Sequence, residues 1–381
     1  MKRLLTFCIA VGSAVLLHSA PVLAQPPELT AKSAVLIEAS TGKILYERRS
    51  QERRPPASTT KIMTLITALE HGNLDETVTA SELASQTEGS TLWLAPGEQL
   101  KMLDLLYGVM LVSGNDATVA VAEHISGTVS NFAGLMNAKA KAIGALDTHF
   151  TNSSGLPDPQ HYSTARDLAY IAAYGYKNPL FVRIVTAERH TMPWAGKDHD
   201  REIFNENKLL WQYEGANGVK TGYTDAAGRC LVSAAKRNGV QLIAVVLDSD
   251  FMWSDSIALL DYGFSRVRPQ TYFQQGDVVR TVRVANGKTE LIPLAVNGSL
   301  SVPAFAGEGF SDYQTVIDVP DRLEAPVRRG QKVGVVRMLF KETEIAAIDL
   351  IAADSSERKS LWSLVWTSLR SLVFSLKQYL A

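Results

Sequence analysis

An α+β fold is predicted for this 381-residue chain, and three observations carry it. Strand-like apolar runs lie at both ends of residues 33–264. The stretch between them carries apolar positions at helical spacing. The composition, 46% hydrophobic and 20% charged, is that of an ordinary globular protein. Strands flanking a helical middle point to one domain whose sheet pairs the first hairpin with the last strands. At roughly 150 residues per domain, the length leaves room for a second. Lys plus Arg number 38 and Asp plus Glu 39, a net charge of −1. No strong field of either sign recommends nucleic acid as a partner.

Residues 1–24 read as a secretory signal peptide. Lys2 and Arg3 precede an apolar run from Leu4 to Leu17, and Val22-Leu23-Ala24 fits a cleavage site. An uncleaved N-terminal anchor is the alternative. Cys8 leaves with the signal, so Cys230 has no internal partner and reads as a buried small residue. Ser33–Glu38 and Ile44–Glu47, joined by Ala39-Ser40-Thr41-Gly42-Lys43, form a hairpin signal. After Pro55-Pro56-Ala57, a helix is predicted from Ser58 to Gly72, with Ile62, Leu65, Ile66 and Leu69 on one face. Further helices are expected over 100–111, 116–125, 131–143 and 164–174. Strands follow over 218–224, 231–236 and 241–247, the last two joined by the tight-turn dipeptide Asn238-Gly239. A helix over 254–264 closes the segment.

From about 267 to 352, short β-rich runs alternate with turns such as Asn286-Gly287, Asn297-Gly298 and Arg329-Gly330, which predicts a small all-β domain. The segments expected are 1–24 signal, 25–266 α+β domain, 267–353 β domain and 354–381 amphipathic helix. In the last, Trp362, Val365, Trp366, Leu369, Leu372, Val373, Leu376 and Leu380 share a helical face, and Arg370 sits mid-helix. A spanning helix needs about 20 mostly apolar residues, so this one is expected to lie in the membrane interface. A helix docked on its own protein is the alternative.

Chemistry concentrates in three short motifs. In Ser58-Thr59-Thr60-Lys61, helical spacing places Lys61 beside the Ser58 hydroxyl. Serine becomes a useful nucleophile when a neighbouring base takes its proton. Lysine serves as that base once its amine is neutral, which the first turn of a helix and burial both favour. By itself the tetrad is weak, because Ser58 also makes a good N-cap and Ser233…Lys236 and Ser356…Lys359 share the spacing. Ser113-Gly114-Asn115 falls in a break between apolar helices, either projecting into a cleft or merely capping the next helix. Lys220-Thr221-Gly222-Tyr223 lies on a predicted strand, whose alternative is an exposed strand end. All three in order, each on its appropriate element, form a specific set.

This set resembles that of the serine penicillin-recognising enzymes. Within them the chain is similar to the low-molecular-mass D-alanyl-D-alanine carboxypeptidases over nearly its whole mature length. The resemblance includes Pro56–Lys61, Ser113–Ala117, Asn152–Leu156, His161–Ala165 and Gly218–Gly222. It implies a β-lactamase/transpeptidase-like domain, an antiparallel sheet with helices on both sides. It also implies the reaction: Ser58 attacks the bond between two terminal D-alanines of a peptidoglycan stem peptide, and Lys61 accepts its proton. Ser113 and Lys220 relay a proton to the leaving D-alanine, and Asn115 holds the substrate amide. Backbone N–H groups of Ser58 and Tyr223 form the oxyanion hole. Lys220, Thr221, Gly222 and Tyr223 line the substrate site, with Thr221 and the Lys220 charge receiving the terminal carboxylate. Water completes hydrolysis, and β-lactam antibiotics acylate the same serine. No cofactor or metal is implied. The implied location is the periplasmic face of a bacterial cytoplasmic membrane, attached peripherally.

One departure stands out. The family often carries an arginine before the last helix of the domain; here the stretch reads Phe251-Met252-Trp253-Ser254-Asp255, with Met252 at the position. Arg229 is a candidate substitute. A class A β-lactamase is disfavoured, because Glu123, Glu188, Glu202, Glu206 and Glu214 all lack an asparagine four residues on. A D,D-endopeptidase or a non-catalytic cell-wall scaffold with the same fold are the remaining alternatives. His71, His124, His149, His161, His190 and His199 show no zinc-site spacing, and His161 is expected to be structural.

Overall fold

A computed structural model describes residues 25–360. Its centre is a five-stranded sheet in the spatial order Ile44–Arg48, Ser33–Glu38, Val240–Leu247, Gly228–Arg237, Ala216–Thr224. Every neighbouring pair is antiparallel. The first hairpin therefore meets the last strands, as the distribution of apolar runs predicts. Asn238 and Gly239 join two of these strands with φ of 50° and 86°. Positive φ at both positions is what a two-residue hairpin turn requires.

Strand alternation sorts the apolar side chains onto two faces. Val35 and Ile37 pack with Ile243, Val245 and Leu247 in one core. That core takes in Ile62, Met63, Leu65 and Ile66 of the helix Lys61–His71, together with the helices Met102–Leu111, Asn115–Ser126, Val129–Ile143 and Ala165–Gly175. Leu36 with Leu242, Ala244 and Val246 faces the other way, against Leu259 and Leu260 of the helix Met252–Arg266. Helices thus cover both faces. Short elements escape the sequence patterns, among them the paired strands Thr77–Thr79 with Gln99–Lys101 and Arg189–Met192 with Arg201–Phe204. With only three or four residues each, they offer too few periods to register.

Strands from Val267–Phe273 to Thr343–Ala352 build the β-rich region, mainly as a six-stranded sheet. It forms the separate small β-rich domain that the sequence predicts, and it packs on the first domain. Val267, Leu300, Val302, Phe305, Met338 and Phe340 continue the core that contains Leu36 and Leu260. Lys43 also pairs with Glu308 across the junction.

The helix predicted over 354–381 does not begin at its expected start. Ser356 and Arg358 bridge in extended conformation to Val327 and Gly287, and Lys359 pairs with Glu290. Cross-strand bonding to the β region outcompetes the helical turn here. The rest of that expected helix, and the expected signal peptide, lie outside the described residues.

Candidate active site

Ser58 does not cap a helix. It sits in a 3-10 turn, Ala57–Thr60, and the α-helix proper starts at Lys61. Ala57 has φ +48°, a strained value for a residue with a Cβ, costing roughly 1–3 kcal/mol. Two glycines lock that strained turn. Gly155, at φ +89°, lies so close that a Cβ there would stand 1.9 Å from the Ala57 carbonyl oxygen. A Cβ on Gly222 would stand 3.0 Å from the Ser58 nitrogen. The strand Ala216–Thr224 therefore passes directly over the serine.

Lys61 is fully buried, and its Nζ lies 3.0 Å from Ser58 Oγ. The amine also donates to Asn115 Oδ1 at 2.6 Å and to the Ser154 carbonyl at 2.7 Å. A neutral amine has two N–H groups and one lone pair. Two acceptor-only oxygens take the hydrogens, which leaves the lone pair for the hydroxyl of Ser58. Burial, followed by the charge of Lys220, holds the Lys61 amine well below the ordinary lysine range. The sequence argument names the helix start as well; in the structure burial comes first.

The other motifs converge on this point. Ser113, at φ +62° and buried, has an Oγ with no hydrogen-bond partner among the described residues. Asn115 is the first residue of its helix and not a cap. Its Nδ2 donates to the Glu88 carbonyl at 2.7 Å, which turns Oδ1 toward Lys61 and leaves that oxygen one further lone pair. Lys220 is 1% exposed, far from an open strand end, and burial pulls its amine down to about 8. Its Nζ lies 3.3 Å from Thr221 Oγ1. The cleft above, about 310 Å³, is lined by Ser58, Ser113, Thr221, Gly222, Tyr223 and Met252 among others. The two rival tetrads fall away. Ser233 turns inward to the Ala244 carbonyl while Lys236 is exposed, and Ser356 bonds the Thr289 carbonyl away from Lys359.

Several supports were not visible in the motifs. Asn152 Oδ1 accepts from the backbone N–H of Gly155 at 2.8 Å, and its Nδ2 donates to the Leu156 carbonyl at 3.1 Å. This turn presents the Ser154 carbonyl to Lys61. Asp116, fully buried, accepts from Thr91 Oγ1 and the N–H groups of Leu92 and Leu94, which fixes the loop at the cleft's edge. His161 accepts at Nδ1 from the Thr151 N–H, so its Nε2–H donates to Thr60 Oγ1 at 2.8 Å. Burial lowers it to about 4, so it stays neutral and braces the serine turn. Met252 lines the cleft, as its expected alignment requires, beside Trp253. Arg229 is exposed, opposite Tyr223 in the strand register, and among the described residues no arginine lines the cleft. Cys230 is buried, and burial lifts its thiol to about 11.

The sequence profile of the D-alanyl-D-alanine carboxypeptidases matches residues 20–251. The chain belongs to that family. The profile of the C-terminal domain of penicillin-binding protein 5 matches residues 268–358. DacF of Bacillus subtilis, a D-alanyl-D-alanine carboxypeptidase, is 37% identical over 87% of this chain and 86% of its own length. DacA of Haemophilus influenzae is 33% identical over 90% and 89%. Among solved structures, the D-alanyl-D-alanine carboxypeptidase DacD from Francisella tularensis superposes with a TM-score of 0.62. It is 30% identical over 90% of this chain and 98% of that one.

Proposed function

We propose that the serine-type D-alanyl-D-alanine carboxypeptidase activity of this chain runs through Ser58 with Lys61 as its base. The supporting observation is the buried Lys61 amine, whose two hydrogens have acceptor-only partners and whose third position faces Ser58 Oγ at 3.0 Å. Ser58 Oγ attacks the carbonyl carbon between the two terminal D-alanines of a peptidoglycan stem peptide, and its proton passes to Lys61. The oxyanion forms against the backbone N–H groups of Ser58 and Tyr223. As the C–N bond breaks, the departing D-alanine nitrogen takes a proton through Ser113 from the Lys220 side. Water then attacks the ester carbonyl and frees Ser58.

Lys220 and Thr221 receive the substrate's terminal carboxylate, Gly222 and Tyr223 form the strand wall, and the free lone pair of Asn115 Oδ1 receives a substrate N–H. β-Lactams, which also acylate by ring opening at a carbonyl, use the same serine. Within this proposal, residues 25–266 form the catalytic domain and 267–353 the β domain. Residues 1–24 direct export, and 354–381 attach the protein peripherally to the periplasmic face of the cytoplasmic membrane. Among the described residues no helix is long and apolar enough to cross a membrane.

The test is D-alanine release from a pentapeptide ending in D-Ala-D-Ala, for wild type and Ser58→Ala. Release by wild type alone is expected. Equal release by both proteins, or none by wild type together with no covalent penicillin label on Ser58, overturns the proposal.

A further inference from the structure

Glu206 is the carboxylate on the cleft lining and belongs to none of the three motifs. Its placement is rigid. The backbone N–H of Glu206 donates to the Leu111 carbonyl at 3.1 Å, at the end of the helix Met102–Leu111. Its neighbours Asn205 and Asn207 are buried, and Asn205 Nδ2 donates to the Ala187 carbonyl at 2.9 Å. Asn205 Oδ1 accepts from the Asn207 N–H, and Asn207 Oδ1 from the Leu209 N–H. Buried side chains thus clamp both sides of one residue whose carboxylate is exposed to the cleft. There, Thr221 Oγ1 lies 3.4 Å from Glu206 Oε2.

Charges around this point are few. Lys220 faces Lys61 from the helix and Glu206 from the loop, and both Glu206 and Asp116 favour the charged form of Lys61. Of these, Glu206 is the group that favours the charged form of Lys220.

We infer that Glu206 is a positioning residue that stands in for the substrate's terminal carboxylate in the resting enzyme, holding Thr221 and the charge of Lys220 until the peptide displaces it. This rests on the carboxypeptidase reading above. An incoming carboxylate must take Thr221 from Glu206 and approach a like charge, so Glu206 weakens ground-state binding while keeping the proton donor charged. Among the described residues no arginine on the cleft lining offsets that repulsion.

The test uses the full chain as wild type, Glu206→Gln and Glu206→Asp, with steady-state kinetics on the D-Ala-D-Ala pentapeptide and on the same peptide carrying a C-terminal amide. For Glu206→Gln, KM for the free acid falls about threefold, the size of one screened charge pair. KM for the amide does not fall, and the alkaline limb of kcat/KM moves to lower pH. Glu206→Asp keeps the wild-type limb. A purely structural residue would instead raise KM for both peptides and lower the melting temperature. An unchanged KM ratio between acid and amide, with an unmoved limb, overturns the assignment. Should wild type release no D-alanine and take no penicillin label, the parent reading fails by itself; should it still be labelled, the inference is read on acylation. Acylation of Ser58 by benzylpenicillin, which carries a carboxylate, then decides: faster acylation of Glu206→Gln supports the inference and equal rates overturn it.

Discussion

Replacing Gly222 by alanine isolates the geometry of the serine turn from the stability of the fold. The new Cβ would stand 3.0 Å from the Ser58 nitrogen, 3.1 Å from the Thr59 nitrogen and 3.2 Å from Ala57 Cβ. All are tighter than ordinary contact, and two are backbone atoms that cannot rotate away. The turn and the strand must part by a few tenths of an ångström. The two N–H groups proposed as oxyanion donors, those of Ser58 and Tyr223, lie on the two elements that part. Catalytic constellations tolerate about 0.5 Å, and a displacement of about 1 Å costs on the order of a hundredfold. Acylation should therefore fall by about tenfold. Stability should change little or fall slightly, because the roughly 0.5–1 kcal/mol that alanine gains over glycine in a strand is offset by about 1–3 kcal/mol of overpacking. The assays are the second-order rate of Ser58 acylation by a fluorescent penicillin and the melting temperature. Wild-type acylation at unchanged stability would refute the argument that this glycine sets the distance between strand and serine.

Two further outcomes follow from the same contacts. Asn115→Asp places a carboxylate 2.6 Å from the Lys61 amine, where a neutral amide oxygen now sits. The lysine should then hold its proton at neutral pH and fail as a base, with kcat/KM at pH 7 lower by about a hundredfold or more. Activity within about twofold of wild type would contradict the role given to Lys61. His161 binds its proton near 6.5 when unfolded and near about 4 when folded. Between these values the unfolded chain holds more protons, so this contribution is complete above pH 6.5 and is lost as pH falls toward 4. Its size is about 3 kcal/mol. Urea titrations across that range should show the slope for wild type and a flatter one for His161→Gln; parallel curves would remove His161 from the acid sensitivity.

What the chain reveals without coordinates depends on how local each interaction is. Ser58 and Lys61 are legible because a single turn brings residues three apart together, whichever kind of helix forms. Asn238-Gly239 is legible because its turn type demands positive φ at both positions. Ser113, Asn115 and Lys220 stand out as polar groups placed where apolar elements break or pair. The Ser154 carbonyl is invisible: it is a backbone atom 93 residues from Lys61, and only the Asn152 turn aims it. Glu206 is visible only as a glutamate lacking the spacing of another enzyme class, since its place depends on two buried asparagines and the end of a distant helix. Burial itself is also hidden. Lys61 and Lys220 are charged residues by type, and nothing in a tetrad announces that one is fully buried and the other nearly so.

That concealment bears on how two identical side chains come to do opposite work. Both amines are buried, both are pulled down by that burial, and their charges repel, so the pair resists holding two protons at once. Burial is the first cause at each, and the oxygens in contact with the two amines differ. Lys61 has an amide oxygen and a backbone carbonyl, dipoles that accept hydrogens without demanding a charge. The Glu206 carboxylate acts on both amines and Asp116 acts on Lys61 as well, so the carboxylate field does not separate the two. Burial holds Lys61 well below the ordinary lysine range and draws Lys220 down to about 8, and in the proposed mechanism Lys61 is the base and Lys220 the proton source. Environments that push two titratable groups apart assign the acid and the base. Beside that burial, Lys61 is contacted by Asn115 and Ser154, and Lys220 by Thr221.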